Sequence, residues 1–305
     1  MRKILLATEK PFSAAAVAEI RQIVEQAGDV LETLEKYADP AQLAAAAATA
    51  DALIVRSDKV TREIIAAAPK LKIIVRAGAG YDNLDLEACT AAGITAMNTP
   101  GQNSNAVAEL VIGLMTYMAR NQFAPGTGSE LRGKKLGIHA YGNVGRLVAA
   151  IGKGAGMTVE AYDPFVGNDT MKQEGVTPLK TVEELYSTAD YISIHIPATA
   201  ETKHSINHPL LARLPKNATI INTARKEVID EQGLIQLMNE RPDIKYAADV
   251  APDADEEFKT FGTRYYATKK KIGAETSEAN INAGLAAARQ IVEYFTTGNQ
   301  RYKVN

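Results

Sequence analysis

Two glycines, Gly142 and Gly145, follow directly on the apolar run Leu136–Ala140, and an acid, Asp163, comes 18 residues after the second glycine. Each residue type has its own chemistry in that arrangement. A glycine at 142 lets backbone approach a phosphate group, and one at 145 lets a helix pack close to the preceding strand. The free N–H groups and positive dipole end of that helix attract an anion. A carboxylate about 20 residues further on, at the end of the next strand, accepts from a ribose 2′-OH and repels a 2′-phosphate. The stretch therefore reads as a dinucleotide site that favours NAD over NADP. The first fingerprint position is Ala140 where a glycine is usual. An ordinary turn between strand and helix would look the same over these few residues.

Such a turn needs a parallel sheet to carry it, and the rest of the chain supplies the pattern. Short apolar runs at Ile4–Thr8, Val30–Leu34, Leu53–Val55, Ile73–Val75 and Ile94–Met97 alternate with helical stretches. Those helices start at Ser13, Asp39-Pro40, Thr61 and Asp85, all residues that cap helix N-termini or open first turns. A long apolar helix is predicted from about Asn105 to Arg120, followed by a connection containing Pro125, Gly126 and Gly128. The alternation resumes with strands at Leu136, Thr158, Tyr191, Thr219 and Lys245 and helices near Thr181, His208 and Asp230. The stretch from Ala251 to Lys271 shows no clear period, and a long amphipathic helix closes the chain from about Glu278. Alternating strands and helices imply two α/β domains, each a doubly wound parallel sheet, with a cleft between them.

Composition excludes several classes. The chain has 305 residues, 46% hydrophobic and 23% charged, with a net charge of −2. That is the profile of a globular protein without a nucleic-acid partner. Its lone cysteine, Cys89, excludes an internal disulfide and a multi-cysteine metal site, so no metal is expected. The short apolar run after Met1 is no signal peptide, and no stretch approaches the ~20 residues of a membrane span. A cytoplasmic location without membrane attachment is the expectation.

More specific motifs lie along the chain. Arg76-Ala-Gly-Ala-Gly-Tyr-Asp-Asn-Leu-Asp85 and Asn98-Thr-Pro-Gly-Gln-Asn-Ser-Asn resemble the substrate-domain signature of the D-2-hydroxyacid dehydrogenases. Val55-Arg56-Ser57 with Val60-Thr61 resembles the phosphoglycerate dehydrogenase branch. His195-Ile-Pro-Ala-Thr-Ala-Glu-Thr202, Asn222-Thr-Ala-Arg225 and Ile272-Gly-Ala-Glu-Thr276 resemble three further family motifs, in the family's order. The resemblance implies a Rossmann-type NAD-binding domain over residues 98–277. It also implies a flavodoxin-like substrate domain built from 1–97 and 278–305. The expected activity is NAD-dependent oxidation of D-3-phosphoglycerate to 3-phosphohydroxypyruvate, the first step of serine synthesis, by a homodimer without a regulatory domain. Glyoxylate/hydroxypyruvate reductase and D-lactate dehydrogenase are rivals within the family. An NAD-sensing, non-catalytic protein like the corepressors of this fold is a rival outside it.

The resemblance also assigns residues. Arg225 matches the catalytic arginine, whose planar fork suits a carboxylate. The loop Ala77, Gly78, Ala79, Gly80 would offer backbone N–H groups to the same carboxylate, with Asn98 beside it. Arg56 and Arg76 are candidates for a substrate phosphate, although Arg56 fits a solvated face equally well. Tyr141, Gly142, Asn143, Val144, Gly145 and Arg146 would wrap the diphosphate. Tyr162, Asp163, Pro164, His195, Pro197 and Thr202 would line the adenosine side. Thr223, Ala224, Asp249, Gly273 and Ala274 would complete the cofactor site, Asp249 holding the carboxamide. One departure concerns the acid/base. Where the family usually has a histidine paired with a glutamate, this chain has Lys271 in the basic run Lys269-Lys-Lys271, and Ala254 falls at the glutamate position. Lys271 serves only if its pKa falls from about 10.4 toward neutrality; a solvated basic run is the competing reading.

Overall fold

A computed structural model describes residues 1–305, which fall into two compact units: 1–103 with 276–305, and 104–275. The family resemblance places these boundaries at 97/98 and 277/278. The link beyond Asn98 still belongs to the first unit, because Thr99 N donates to Gly78 O (2.9 Å).

In the first unit, strands β1 (Lys3–Thr8), β2 (Val30–Glu35), β3 (Ala52–Val55), β4 (Ile73–Arg76) and β5 (Thr95–Asn98) alternate with four helices. These are α1 (Ala14–Gln26), α2 (Pro40–Ala47), α3 (Arg62–Ala66) and α4 (Leu86–Ala91). The sheet is wholly parallel in the order β2-β1-β3-β4-β5, the flavodoxin-like order. Period-two alternation splits its core. Ile4 and Leu6 pack with Ile20 and Val24 of α1 and with Ala287 and Ile291 of the C-terminal helix Ser277–Thr297. Leu5 and Ala7 face Leu43, Ile64 and Cys89 of α2, α3 and α4. Each fully buried leucine or isoleucine contributes about 1.5–3 kcal/mol. Ser13 Oγ caps α1, Asp39 forms a capping box with Gln42, and Asp85 caps α4. Thr61 occupies the cap position of α3, but its hydroxyl makes no capping bond.

The second unit opens with α5 (Ser104–Ala119), then β6 (Lys135–His139), α6 (Asn143–Gly154), β7 (Thr158–Tyr162), α7 (Asn168–Gln173) and β8 (Thr177–Pro178). It continues through α8 (Val182–Thr188), β9 (Tyr191–Ile194), α9 (His208–Leu211), β10 (Thr219–Asn222) and α10 (Glu231–Glu240). It ends with β11 (Lys245–Ala248), α11 (Asp255–Lys259) and β12 (Tyr265–Ala267). All pairings are parallel, in the order β12-β11-β10-β9-β6-β7-β8. Strand order reverses at β6, and ligands of such sheets bind beyond the strand ends at that point. The aperiodic stretch after Ala251 contains α11 and β12, and α7 and β8 add two further elements that periodicity does not reveal. The two strands have only 2 and 3 residues, and α7 and α11 follow Gly167 and Ala254 without the side-chain cap that marks even the short α9 at Asn207. Long helices of the chain are not membrane spans: none is long and apolar enough to cross a bilayer.

Candidate active site

Beyond β6 the chain turns through Ala140 and Tyr141 into α6. Ala140 has φ +81° and donates its N–H to Tyr162 O (2.9 Å). The left-handed position that glycine fills in the fingerprint is thus held by an alanine. Gly145 has no such freedom: a Cβ there would lie 2.3 Å from Ala140 O and 3.0 Å from Ile138 Cγ2. Gly142 precedes α6 without a side-chain cap, and a Cβ on it would meet nothing within 4 Å. The first-turn N–H groups of α6 are therefore left for a ligand, as an uncapped helix start requires.

The acid lies at this turn. Asp163 Oδ2 accepts from Tyr141 N (2.7 Å), and Oδ1 accepts from Phe165 N (2.8 Å) and Val166 N (3.1 Å). Pro164 is exposed and Tyr162 half-buried. The side chains of Tyr141 and Arg146 are engaged elsewhere. Tyr141 is 1% exposed and donates its hydroxyl to Glu174 Oε2 (2.7 Å). Burial and Glu174 push that phenol well above the usual tyrosine range. Arg146 pairs with Glu174 Oε1 and lies over the Tyr141 ring at 5.4 Å. The turn therefore presents backbone, with Asn143 exposed and Val144 half-buried at its rim. Glu174 carries no sequence signal that marks it for this role.

The segment after β9 is stapled to itself. Thr202 Oγ1 donates to Pro197 O (2.5 Å) and accepts from Thr199 N (2.8 Å). His195 Nε2 lies 2.8 Å from Ser193 Oγ. Desolvation, with a smaller contribution from His139, pushes the His195 imidazole down to about 3. His139, inside β6, is pushed down to about 4 by burial and contacts the Tyr186 hydroxyl at 3.3 Å. Both rings are neutral near pH 7.

The two candidate catalytic cations meet on one oxygen. At the end of β10, buried Asn222 accepts from Ala224 N (3.0 Å) and donates through Nδ2 to Arg225 O (2.9 Å). This Asx-type turn sets the Arg225 backbone. Arg225 is exposed, and its Nη1 donates to Ala224 O at 2.9 Å. Lys271 Nζ donates to the same Ala224 O at 3.2 Å. The Lys271 amine and the Arg225 guanidinium thus converge on one carbonyl oxygen. Thr223 is 5% exposed, and its Oγ1 has no partner in the chain. A buried hydroxyl is rarely left unpaired.

Asp249 follows β11 and is 4% exposed. Its Oδ1 accepts from Thr268 Oγ1 (2.8 Å) and Ile272 N (2.9 Å), its Oδ2 from Gly273 N (2.8 Å). Gly273 is required here, since a Cβ would lie 2.7 Å from Asp249 Oδ2. Ala274 beside it is half-buried. Ala254 has its N–H held by Glu231 Oε2 (2.9 Å).

In the first unit, Arg76 Nε donates to Arg56 O (2.9 Å). A Cβ on Gly78, which has φ +148°, would lie 1.4 Å from Arg76 Nη1. The guanidinium thus occupies the space a side chain at 78 would need. Arg56 donates to Asn280 Oδ1 (2.5 Å) and Lys10 O (3.2 Å) and lies over the Phe12 ring at 5.2 Å. Asn98 Nδ2 fixes the loop by donating to Ala79 O (2.6 Å). Ala77 N and Gly78 N donate to Val55 O and Arg76 O, whereas Ala79 N and Gly80 N have no acceptor in the chain. The structure thus gathers Arg56, Arg76, the glycine loop and Asn98 in this unit.

The second unit fits a dinucleotide on its own geometry. It has an uncapped helix start at the switch point, a glycine open to approach, a carboxylate at the turn and an unpartnered buried hydroxyl at Thr223.

Comparison with known proteins agrees. Residues 107–264 match the family described as D-isomer specific 2-hydroxyacid dehydrogenase, NAD binding domain. The chain is 37% identical to D-3-phosphoglycerate dehydrogenase of Methanocaldococcus jannaschii, over 88% of this chain and 54% of that one. It is 36% identical to hydroxypyruvate reductase of Thermotoga maritima, over 86% and 90%. Among solved structures, the NAD+-bound 3-phosphoglycerate dehydrogenase of Entamoeba histolytica superposes with a TM-score of 0.87 at 49% identity, over 100% and 98%. The chain spans about half the length of the first D-3-phosphoglycerate dehydrogenases it matches.

Proposed function

From the premise that the chain belongs to the D-isomer specific 2-hydroxyacid dehydrogenase family, its second unit being the NAD-binding domain, we propose that it oxidises D-3-phosphoglycerate to 3-phosphohydroxypyruvate. The observation that carries the reading is the shared carbonyl: Arg225 and Lys271 both donate to Ala224 O. Two cations on one acceptor make a site for an anion. Arg225 holds the substrate carboxylate and polarises the reacting oxygen. Lys271, as the neutral amine, takes the hydroxyl proton while the hydrogen on the reacting carbon leaves as hydride. NAD, when bound, supplies the hydride acceptor. The backbone from Gly142 to Gly145 would hold its diphosphate, Asp163 its ribose, and Thr223 Oγ1 another of its polar groups. In the first unit, Ala79 N and Gly80 N are assigned to the carboxylate, Arg56 and Arg76 to the phosphate.

A second reading, reduction of hydroxypyruvate, is favoured by the Thermotoga relative, which the chain covers to 90%. The engagement of Arg56 with Asn280 and Lys10 favours it too. NADH absorbance decides, measured with NAD and D-3-phosphoglycerate, D-glycerate or D-lactate at alkaline pH with a ketone trap. Turnover confined to the phosphorylated acid is the expected result. Turnover of the unphosphorylated acids alone establishes the second reading. NAD binding without turnover of any acid overturns both. The proposal includes a cytoplasmic homodimer acting in serine biosynthesis; sedimentation velocity giving a monomer contradicts the dimer.

A further inference from the structure

Asp249 resembles a cofactor ligand by sequence, yet the structure turns both of its carboxylate oxygens toward its own chain. Its three donors, Thr268 Oγ1, Ile272 N and Gly273 N, span the segment that carries Lys271, and two of them immediately follow the lysine. The threonine does double duty, since its Oγ1 also accepts from Val250 N (2.9 Å). Val250 is β-branched and has φ +109°, a conformation that persists only where its surroundings hold it. On the other side, Asp249 N donates to Asn222 O (2.9 Å), so this lock is tied to the residue that sets the Arg225 turn.

We infer that Asp249 is the positioning residue for Lys271: its buried carboxylate, with Thr268, fixes residues 268–273 so that the lysine amine stays on the Ala224 carbonyl beside Arg225. A carboxylate is required because all three groups facing it are donors, and an acceptor-only group alone satisfies them all. Asparagine at 249 would turn an N–H₂ toward one of them. The inference rests on the reading of Lys271 as the acid/base, but its first test does not need activity.

That test is acetylation of the full-length protein by a succinimidyl ester, followed by peptide mass spectrometry, with exposed Lys59 as internal reference. Asp249→Asn should change the rate at Lys271 by about fivefold relative to Lys59, the effect of one lost hydrogen bond. The second test is kinetic. Asp249→Asn should lower kcat by on the order of tenfold to a hundredfold and displace its pH profile. At saturating NAD, the same substitution in a Lys271→Ala background should have little further effect on kcat. Thr268→Ser should behave like the parent and Thr268→Ala should show a weaker form of the defect, which keeps the test available if Asp249→Asn does not fold. An unchanged Lys271 rate overturns the inference, as does an equal loss of kcat in both backgrounds. Parental turnover by Lys271→Ala alone removes the acid/base reading; the acetylation rates then still decide whether Asp249 holds the segment.

Discussion

Each unit carries a glycine-rich turn at the end of a parallel strand, and the two are built in opposite ways. In the first unit the turn is shaped around a side chain. Gly78 is needed because its φ of +148° is one that other residues rarely adopt, and the Arg76 guanidinium lies where a Cβ would be. In the second unit the turn is shaped around backbone. Gly145 is needed because the Ala140 carbonyl lies 2.3 Å from where a Cβ would be, and the nearby Arg146 is drawn off to Glu174. The difference matches the ligands proposed for them. A small substrate with two anionic ends calls for guanidinium groups with fixed forks. A diphosphate lying along a helix start is served by N–H groups and the helix dipole, and side chains would obstruct it.

Changes that ignore this difference should fail by different routes. The largest effect is expected from Gly145→Ala, because backbone cannot swing away as a side chain can. Unfolding stability should fall by about 2–4 kcal/mol, and NAD binding should weaken with it; chemical denaturation with parent-like stability would refute the close packing. Next comes a pH effect at the strand leading into this turn. His139 is held near 4, below its unfolded value of about 6.5, so the unfolded chain takes up its proton first as pH falls. Its contribution is complete above about pH 6.5 and is lost on acidification through a window ending near pH 4, about 3 kcal/mol in all. Melting temperatures of the parent should drop across that window, and His139→Gln should flatten the slope. Gly78→Ala is expected to raise KM for the acid by roughly tenfold while leaving NAD affinity alone, since Arg76 must move; equal losses in both would erase the contrast between the turns. Asp163→Ala should show the converse, weakening NAD by about tenfold and narrowing its advantage over NADP. The smallest expected effect is a gain. Ala140→Gly relieves a positive φ and should stabilise the protein by about 1 kcal/mol.

The sequence makes the second unit legible because strand, glycine turn, helix, strand and acid follow one another within a few tens of residues. Every long element appears near its predicted bounds for the same reason: periodicity needs length to show. The strands β8 and β12 lack that length, and α7 and α11 lack the capping side chain that betrays the still shorter α9. At the site, spacing points to Asp163 and the family resemblance to Arg225 and Lys271, but neither shows what fixes them. Glu174 lies 28 residues from the arginine it draws away, and Asn280 lies 224 residues from Arg56. Thr268 reads as an ordinary polar residue until the fold brings it to Asp249. Partners of this kind are set by the tertiary fold, and one sequence carries no local pattern for them.

The most direct test of the catalytic centre is the pH dependence of turnover in the parent and in Lys271→Ala, with D-3-phosphoglycerate and NAD from pH 6 to pH 10 (roughly the span a lowered lysine pKa must cross). The shared Ala224 carbonyl predicts that the substitution lowers kcat by about 10²–10⁴-fold and removes the rise that marks deprotonation of the amine. Parental turnover with an unchanged profile would contradict it, and would take the lysine out of the mechanism.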